Sequence, residues 1–238
     1  MHPEFVLSAG HCESALLVSD EVQIGQLCKN QIDNCGQRRE TRKVKSIVLH
    51  PFYDTVFRTV PSYDYMLLHL EKPSSIDPVQ YDDGSFSSQY GSRKSLKTFG
   101  FGYTIYDDNE PSVASNHLME TSLNYVTQSE CRHDFEDDLI TSSMMCAYAD
   151  GTDACKGDSG GQLYDKEANV VVGIVSWGYG CAQKVPGVYS RISYEYEWIR
   201  QTICLNSVPD LLKTGILFRI AHIDADNKSS ADCDTLNL

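Results

Sequence analysis

Short apolar runs separated by polar clusters recur along the chain, and they predict a mostly β structure. The runs are rich in Val, Ile, Leu and Tyr, and the turn-prone stretches DDGSFSSQYGS and YDDNEPS lie between them. Many short strands joined by turns are typical of a sandwich or a barrel. The predicted strands are EFVLSA, SIVLH, YMLLHL, SLNYV, NVVVGIVSWG and GVYSRI.

One helix and one internal boundary are predicted from the same pattern. The stretch SYEYEWIRQTIC begins with a serine and places Tyr196, Ile199 and Ile203 at helical spacing. The turn-rich segment 82–92 is the best internal boundary. This boundary separates an N-terminal domain, 1–92, from a C-terminal domain, 93–204, that ends in the helix. The remaining residues, 205–238, form an appendage with one apolar patch and an acidic end.

Composition and charge restrict the class of protein. The chain has 238 residues and a formal net charge of -13, so nucleic acid is excluded as a partner because phosphate binding needs a basic face. No apolar run approaches the roughly 18 residues of a membrane span. The nine cysteines show no C-x-x-C pair, which favours disulfides in an oxidising compartment. The start MHPEFVLSAGHC does not resemble a signal peptide, so we expect that the beginning of a secreted protein is missing.

The stretch DACKGDSGGQL, at 153–163, surrounds Ser159 with small residues. Small neighbours let main-chain N–H groups approach a reacting carbonyl, and the N–H groups of Gly157 and Ser159 are the candidate oxyanion donors. A serine hydroxyl needs a base. His11 in VLSAGHC is the candidate base, and Asp64 in SYDYMLLHL, next to an apolar run, is the candidate for the buried acid that orients it.

The motifs VLSAGHC, DYMLL, GDSGG and SWG together resemble the trypsin/chymotrypsin family of serine proteases over roughly residues 4–203. The resemblance implies an all-β fold of two packed six-stranded antiparallel Greek-key barrels with a C-terminal helix. It also implies a catalytic triad in which Ser159 attacks, His11 transfers the proton and Asp64 orients His11. Taken singly, GDSGG is also compatible with a Gly-rich turn, and His11 with a packed histidine.

The resemblance also implies a substrate pocket. Asp153 matches the floor of the family's primary specificity pocket, where a carboxylate selects Arg or Lys, and a solvated loop carboxylate is the alternative interpretation. Gly178 and Gly187 match the two positions that must be small to admit a long side chain. The remaining predicted substrate contacts are main-chain groups of Ser176 and Trp177, together with Gly178. Lys156, near the entrance, would disfavour basic residues beyond the cut.

Disulfides are expected to brace this site. The family resemblance implies the pairs Cys131–Cys146 and Cys155–Cys181. Cys28 and Cys35 are close enough in sequence for a local bridge, and Cys204–Cys233 would staple the tail. Cys12 is then left over, and its family partner would lie upstream of the sequence. The family's loop calcium site is not expected, because only Asp33 and Glu40 supply acids there.

The start of the sequence departs from the family. In the family a free N-terminal amine, released by cleavage, pairs with the aspartate at the position of Asp158. Here only ten residues precede His11. We therefore expect Asp158 to lack its cation, the first barrel to be incomplete, and the loop around Asp158 to adopt another arrangement, as in a zymogen.

The sequence thus predicts a secreted, monomeric, trypsin-like endopeptidase that cleaves proteins or peptides after Arg or Lys, without cofactor or metal. The alternative interpretation is a truncated, catalytically inactive family member that acts as a binding module. A non-enzymatic β domain stapled by disulfides is the third interpretation. A partial gene product would explain the missing signal peptide, the odd cysteine and the missing strands together.

Overall fold

The computed structural model describes residues 1–29, 35, 39–53, 60–105, 113–135 and 139–207. Thirteen strands and two α-helices are assigned in these ranges. In chain order they are β1 Phe5–Ser8, β2 Glu21–Ile24, β3 Glu40–Leu49, β4 Met66–Leu70, β5 Gln80–Tyr81, β6 Ser95–Gly100, β7 Tyr103–Ile105, β8 Val113–Ala114, β9 Met119–Val126, α1 Gln128–Asp134, β10 Met144–Tyr148, β11 Gln162–Asp165, β12 Val170–Trp177, β13 Gly187–Arg191 and α2 Tyr196–Ser207.

Two sheets make up the body of the structure. The first has the order β1-β4-β3-β2 and forms half of a barrel. The second runs β11-β6-β9-β10-β13-β12, and β11 also pairs with β12, which closes it into a six-stranded barrel. Strand β5 adds to β12 in parallel, and β7 and β8 form a separate hairpin. The predicted fold class is therefore confirmed: the chain is mostly β, with one closed barrel, one half-barrel and a C-terminal helix.

The six apolar runs predicted as strands all fall on observed strands. The run YMLLHL contains β4, in which every side chain is buried because both faces of the strand are covered. Leu67 packs in the core shared with the closed barrel, and Met66 and Leu68 pack in a second cluster with Val44. Buried and exposed side chains therefore do not alternate along this strand.

Seven described strands were not predicted, namely β2, β5, β6, β7, β8, β10 and β11. Six of them are short or interrupted by polar residues, whereas β10, MMCAY, is an apolar run that was overlooked.

A shared core joins the half-barrel, the closed barrel and α2. Phe5 from β1, Ile174 from β12 and the helix residues Ile199 and Ile203 belong to one buried cluster. Tyr65 lies in the same cluster, and its hydroxyl donates to the main-chain oxygens of Ser143 at 2.9 Å and Arg191 at 2.7 Å. These contacts hold the two sheets together along the cleft that contains the candidate site.

Two helices flank the closed barrel. Helix α1 was not predicted from the sequence, and it begins with a capping box in which Thr127 and Glu130 each accept the other's main-chain N–H. Helix α2 was predicted, and Ile199 and Ile203 lie on its buried face as expected. Neither helix combines the length and the apolar character needed to cross a membrane, among the residues described.

Three disulfides have both of their cysteines in the described part of the chain. They are Cys28–Cys35, Cys131–Cys146 and Cys155–Cys181, as predicted. The predicted Cys204–Cys233 pair includes Cys233, which lies outside the described residues. Cys12 forms no disulfide within the described ranges.

The two acids weighed for a calcium site have different outcomes. Asp33 lies outside the described residues. The Glu40 carboxylate accepts hydrogen bonds from Arg42 Nη2 at 2.7 Å and from the main-chain N–H of Ser75 at 2.9 Å. The Ser75 hydroxyl donates to Oε1, so both carboxylate oxygens are engaged by protein donors.

Candidate active site

Strand pairing brings His11 and Asp64 together although they are far apart in sequence. Strand β1 pairs antiparallel with β4, and Ser8 at the end of β1 lies opposite Met66 at the start of β4. His11 follows β1 on a 3₁₀ helix, Gly10–Ala15, and Asp64 stands two residues before β4. His11 and Asp64 therefore lie at the same end of the β1–β4 pair, at the cleft between the sheets.

Asp64 is a buried carboxylate that is held by several donors. Its Oδ2 is 2.8 Å from His11 Nδ1 and accepts the Ser176 hydroxyl at 2.5 Å, and its Oδ1 accepts the main-chain N–H of His11 at 2.7 Å. The Ser190 hydroxyl donates to its main-chain oxygen at 2.9 Å. Asp64 is 2% exposed, so these donors offset the cost of burying the charge.

The hydrogen bond with Asp64 is the main reason that the pKa of His11 is raised above its usual value. A smaller contribution comes from Cys12, while burial acts in the opposite direction. With Nδ1 donating to the carboxylate, Nε2 is the ring nitrogen that remains to take up a proton. The pair thus has the chemistry of a general base with a fixed tautomer.

The loop that carries Ser159 is anchored on β12. The main-chain N–H of Gly160 donates to Val175 O at 3.0 Å, and the N–H of Val175 donates to Gly161 O at 2.8 Å. Gly160 has φ +77°, and a Cβ there would lie 3.3 Å from the main-chain nitrogen of Ala9 and would overlap Ser8. Glycine at this position lets the Ser159 loop pack against the end of β1, close to the helix of His11.

The predicted oxyanion donors have no competing acceptors in the described part of the chain. Neither the N–H of Gly157 nor that of Ser159 donates to a protein oxygen there. Gly157 has φ +93°, a conformation that disfavours any residue with a side chain. Ser159 itself is exposed. These two N–H groups are therefore available to an incoming oxygen.

A cavity of about 250 Å³ lies beside Ser159. Its lining includes the predicted substrate-contact residues Asp153, Ser176, Trp177, Gly178 and Gly187. The Cys155–Cys181 disulfide also borders it. The structure thus places the proposed nucleophile and the five proposed substrate contacts around one space.

Asp153 lies in this cavity, partly shielded from solvent. Its Oδ1 accepts the N–H of Ala154 at 2.8 Å, and its Oδ2 accepts the N–H of Ala182 at 3.3 Å. Burial raises the pKa of Asp153 to about 6. A Cβ on Gly187 would lie 3.0 Å from Asp153 Oδ1 and 3.4 Å from the Tyr189 hydroxyl, so a larger residue there would narrow the approach to the carboxylate.

Asp158 is held by main-chain groups. Its Oδ1 accepts the N–H of Gly102 at 2.7 Å, and its Oδ2 accepts the N–H of Cys155 at 2.8 Å. A Cβ on Gly102 would lie 2.6 Å from this carboxylate, so glycine is required for the contact. Asp158 forms no direct ion pair with any residue in the described ranges.

Three side chains of this site were not predicted from the sequence. Ser176 was assigned only main-chain contacts with substrate, whereas its side chain binds Asp64, and Ser190 supports the same residue. The buried Tyr189 hydroxyl has no hydrogen-bond partner in the described part of the chain and lies near Asp153. All three side chains come from β12 and β13, strands whose apolar runs gave no sign that individual polar side chains face the cleft.

The two-sheet fold, with an Asp–His pair after β1 and a Gly-rich serine loop packed against the end of the same strand, is that of the chymotrypsin-like serine proteases. A family model described as Trypsin matches residues 1–199. Accordingly, the chain belongs to the trypsin family.

Relatives and a solved structure agree with this assignment. Trypsin 5G1 of Aedes aegypti is 35% identical over 205 residues, covering 83% of this chain and 71% of that protein. Trypsin-1 of Astacus astacus is 31% identical over 207 residues, covering 82% of each. The structure of neuropsin, a serine protease expressed in the limbic system of mouse brain, is similar with a TM-score of 0.71 and 26% identity, over 85% of this chain and 86% of that one.

Proposed function

We propose that this protein is a trypsin-like endopeptidase that hydrolyses peptide bonds after Arg or Lys through Ser159, His11 and Asp64. The observation that carries the proposal is the buried Asp64 bound to His11 Nδ1 at 2.8 Å, on the cleft that Ser159 lines. A carboxylate in this position fixes the tautomer of the histidine and stabilises its protonated form.

In the proposed mechanism the Ser159 hydroxyl attacks the carbonyl carbon of the scissile bond, and His11 Nε2 takes up its proton. The N–H groups of Gly157 and Ser159 bind the oxygen that becomes negative in the tetrahedral intermediate. His11 then gives the proton to the leaving amine, and the acyl enzyme forms. Water attacks this ester in the second half-reaction, again with His11 as base, and releases Ser159.

The proposed specificity rests on Asp153. A guanidinium or ammonium group that enters the cavity replaces water at a partly buried carboxylate, and a neutral side chain would leave that carboxylate unpaired. Gly178 and Gly187 border the cavity without side chains that would fill it. The N–H groups of Gly157 and Ser159 have no protein acceptor in the described part of the chain, and a cavity lies beside Ser159. Both features favour an active enzyme over an inactive binding module.

We further propose that the protein acts outside the cell and as a monomer. Three disulfides stabilise the described part of the chain, and such bonds persist in oxidising compartments. The substrates would then be extracellular proteins or peptides that carry Arg or Lys at the cleavage site.

A serine-directed phosphonate with an Arg-like side chain tests the nucleophile. We expect stoichiometric labelling of the protein at Ser159, and hydrolysis of an Arg ester that stops when labelling is complete. The variant Ser159→Ala should lose both, whereas Ser95→Ala, which changes an exposed serine on β6, should retain both. Labelling that persists in Ser159→Ala, or a folded wild-type protein that never reacts, would refute the proposal.

A further inference from the structure

The turn between β6 and β7 supports the loop that carries Ser159. The N–H of Gly102 donates to Asp158 Oδ1 at 2.7 Å, and the N–H of Tyr103 donates to Lys156 O at 2.9 Å. A Cβ on Gly157 would lie 3.2 Å from Gly102 Cα, so the two main chains are in close contact. The position of this turn therefore affects the orientation of the Gly157 and Ser159 N–H groups.

Lys29 binds the same turn from the side of the half-barrel. Its Nζ donates to Phe101 O at 3.1 Å and lies 5.4 Å from the centre of the Phe101 ring. Its main-chain N–H donates to Asn116 O at 2.8 Å, and the neighbouring Cys28 is fixed by a disulfide. The backbone of Lys29 is thus anchored, and its ammonium group reaches across to the turn.

The oxygen that Lys29 binds and the N–H that Asp158 binds belong to one peptide group. Phe101 supplies the carbonyl and Gly102 supplies the N–H, so the order of groups is ammonium, peptide, carboxylate. A cation at the carbonyl polarises the peptide and strengthens its N–H as a donor. The positive end of this peptide dipole, which faces Asp158, is reinforced by the charge of Lys29.

We propose that Lys29 is a positioning residue for the Ser159 loop, acting on Asp158 through the peptide group of Phe101 and Gly102. Asp158 has no direct ion pair in the described ranges, and this relay supplies positive potential to its carboxylate. Held in this way, Asp158 keeps the N–H groups of Gly157 and Ser159 turned towards the cleft. This role in catalysis rests on the proposed function.

Substitution of Lys29 tests the relay. Lys29→Met keeps most of the side-chain length without the charge, Lys29→Arg keeps the charge, and Lys43→Met removes an exposed charge on β3 as the control. With an Arg-containing amide substrate we expect Lys29→Met to lower kcat about three- to tenfold with little change in KM, because oxyanion stabilisation weakens. Lys29→Arg should restore most of kcat, and Lys43→Met should match the wild type.

Two inhibitors separate positioning from general damage. A peptide aldehyde ending in Arg forms a tetrahedral adduct that uses the oxyanion donors, so its affinity should fall in Lys29→Met by the same factor as kcat. An arylamidine occupies only the cavity of Asp153, so its affinity should change less than about twofold, since that cavity is formed by other contacts. Added salt should reduce kcat in the wild type more than in Lys29→Met, because Lys29 is exposed and its charge is screened.

Amide hydrogen exchange, measured by NMR, gives a result that does not require catalysis. In Lys29→Met we expect faster exchange at Gly102 and Tyr103, with no change at the amides of β10. If the wild type hydrolyses substrate but Lys29→Met matches it in kcat, the positioning role is overturned. If the wild type hydrolyses nothing, the proposed function fails, and hydrogen exchange alone tests the role of Lys29. Unchanged exchange rates at Gly102 and Tyr103 in Lys29→Met would then overturn that role, and faster rates would support it.

Discussion

Replacing Asp64 by Asn is expected to lower kcat by about 10⁴-fold with little change in KM. The Asp64 carboxylate accepts hydrogen bonds from His11 Nδ1, the His11 main chain and Ser176. An Asn amide would present its NH₂ group to one of these donors, which favours the histidine tautomer with the proton on Nε2. His11 could then no longer take up the proton of Ser159.

The same substitution should shift the pH dependence of the activity that remains. Protonated His11 cannot act as a base, so activity rises as pH increases through its pKa. The hydrogen bond with Asp64 raises that pKa, and Asp64→Asn should lower it. The acidic limb of the pH profile should therefore move to lower pH in the variant.

A steady-state pH profile of both proteins on an Arg ester measures the two effects. Asp82→Asn is a matched control: Asp82 is also a buried aspartate, and Asn keeps an oxygen for the Gly84 N–H that Oδ1 accepts at 2.9 Å. We expect that control to retain kcat within about twofold, as a residue remote from the cleft should. A kcat for Asp64→Asn within tenfold of the wild type would contradict the proposed role of Asp64.

Replacing Asp153 by Asn is expected to lower kcat/KM for Arg and Lys substrates by about 10⁴-fold, since the cation then loses the one carboxylate among the described residues that line the cavity. Substrates with neutral side chains at the same position should lose far less. Asn has nearly the same volume and can still accept the N–H of Ala154, so the cavity should keep its shape. A small, uniform loss on all substrates would show that Asp153 does not determine specificity.

Binding of an arylamidine should report the charge of Asp153 directly. Burial raises the pKa of this carboxyl to about 6, so it is mostly ionised at pH 7 and mostly neutral at pH 5. The dissociation constant of the arylamidine should therefore be about tenfold larger at pH 5 than at pH 7, by the change in the ionised fraction. Calorimetric titration can measure this difference, and Asp153→Asn should bind weakly at both values of pH.

Much of the fold was predictable because strong local patterns agree with their tertiary environment. The run NVVVGIVSWG is a strand by β-branched content, and it is β12 in the closed barrel. The helix α2 was predicted from the spacing of Ile199 and Ile203, and both are buried. Strand β6 was missed because Ser95, Lys97 and Thr98 dilute its apolar positions, and it is stabilised mainly by its neighbours β9 and β11.

The candidate site was predictable in its residue types but not in its contacts. His11, Asp64 and Ser159 stand in short motifs whose chemistry is readable from the residues themselves. The contact of Ser176 could not be predicted from the sequence, because its hydroxyl donates to Asp64, which lies 112 positions away along the chain. No local pattern specifies which face of β12 meets the half-barrel, so only the packing of the sheets decides it.

The sequence by itself determined the mostly β class, the family, the three described disulfides and the groups able to carry the chemistry. The tertiary structure decided how Asp158 is held. From the sequence this residue was expected to be a buried carboxylate without a cation, and the fold instead directs the N–H groups of Gly102 and Cys155 at it. Main-chain donors carry no residue-specific signal, so the sequence does not show which N–H groups bind Asp158. The Gly102 contact forms when the closed barrel folds, and the Lys29 contact also needs the half-barrel in place.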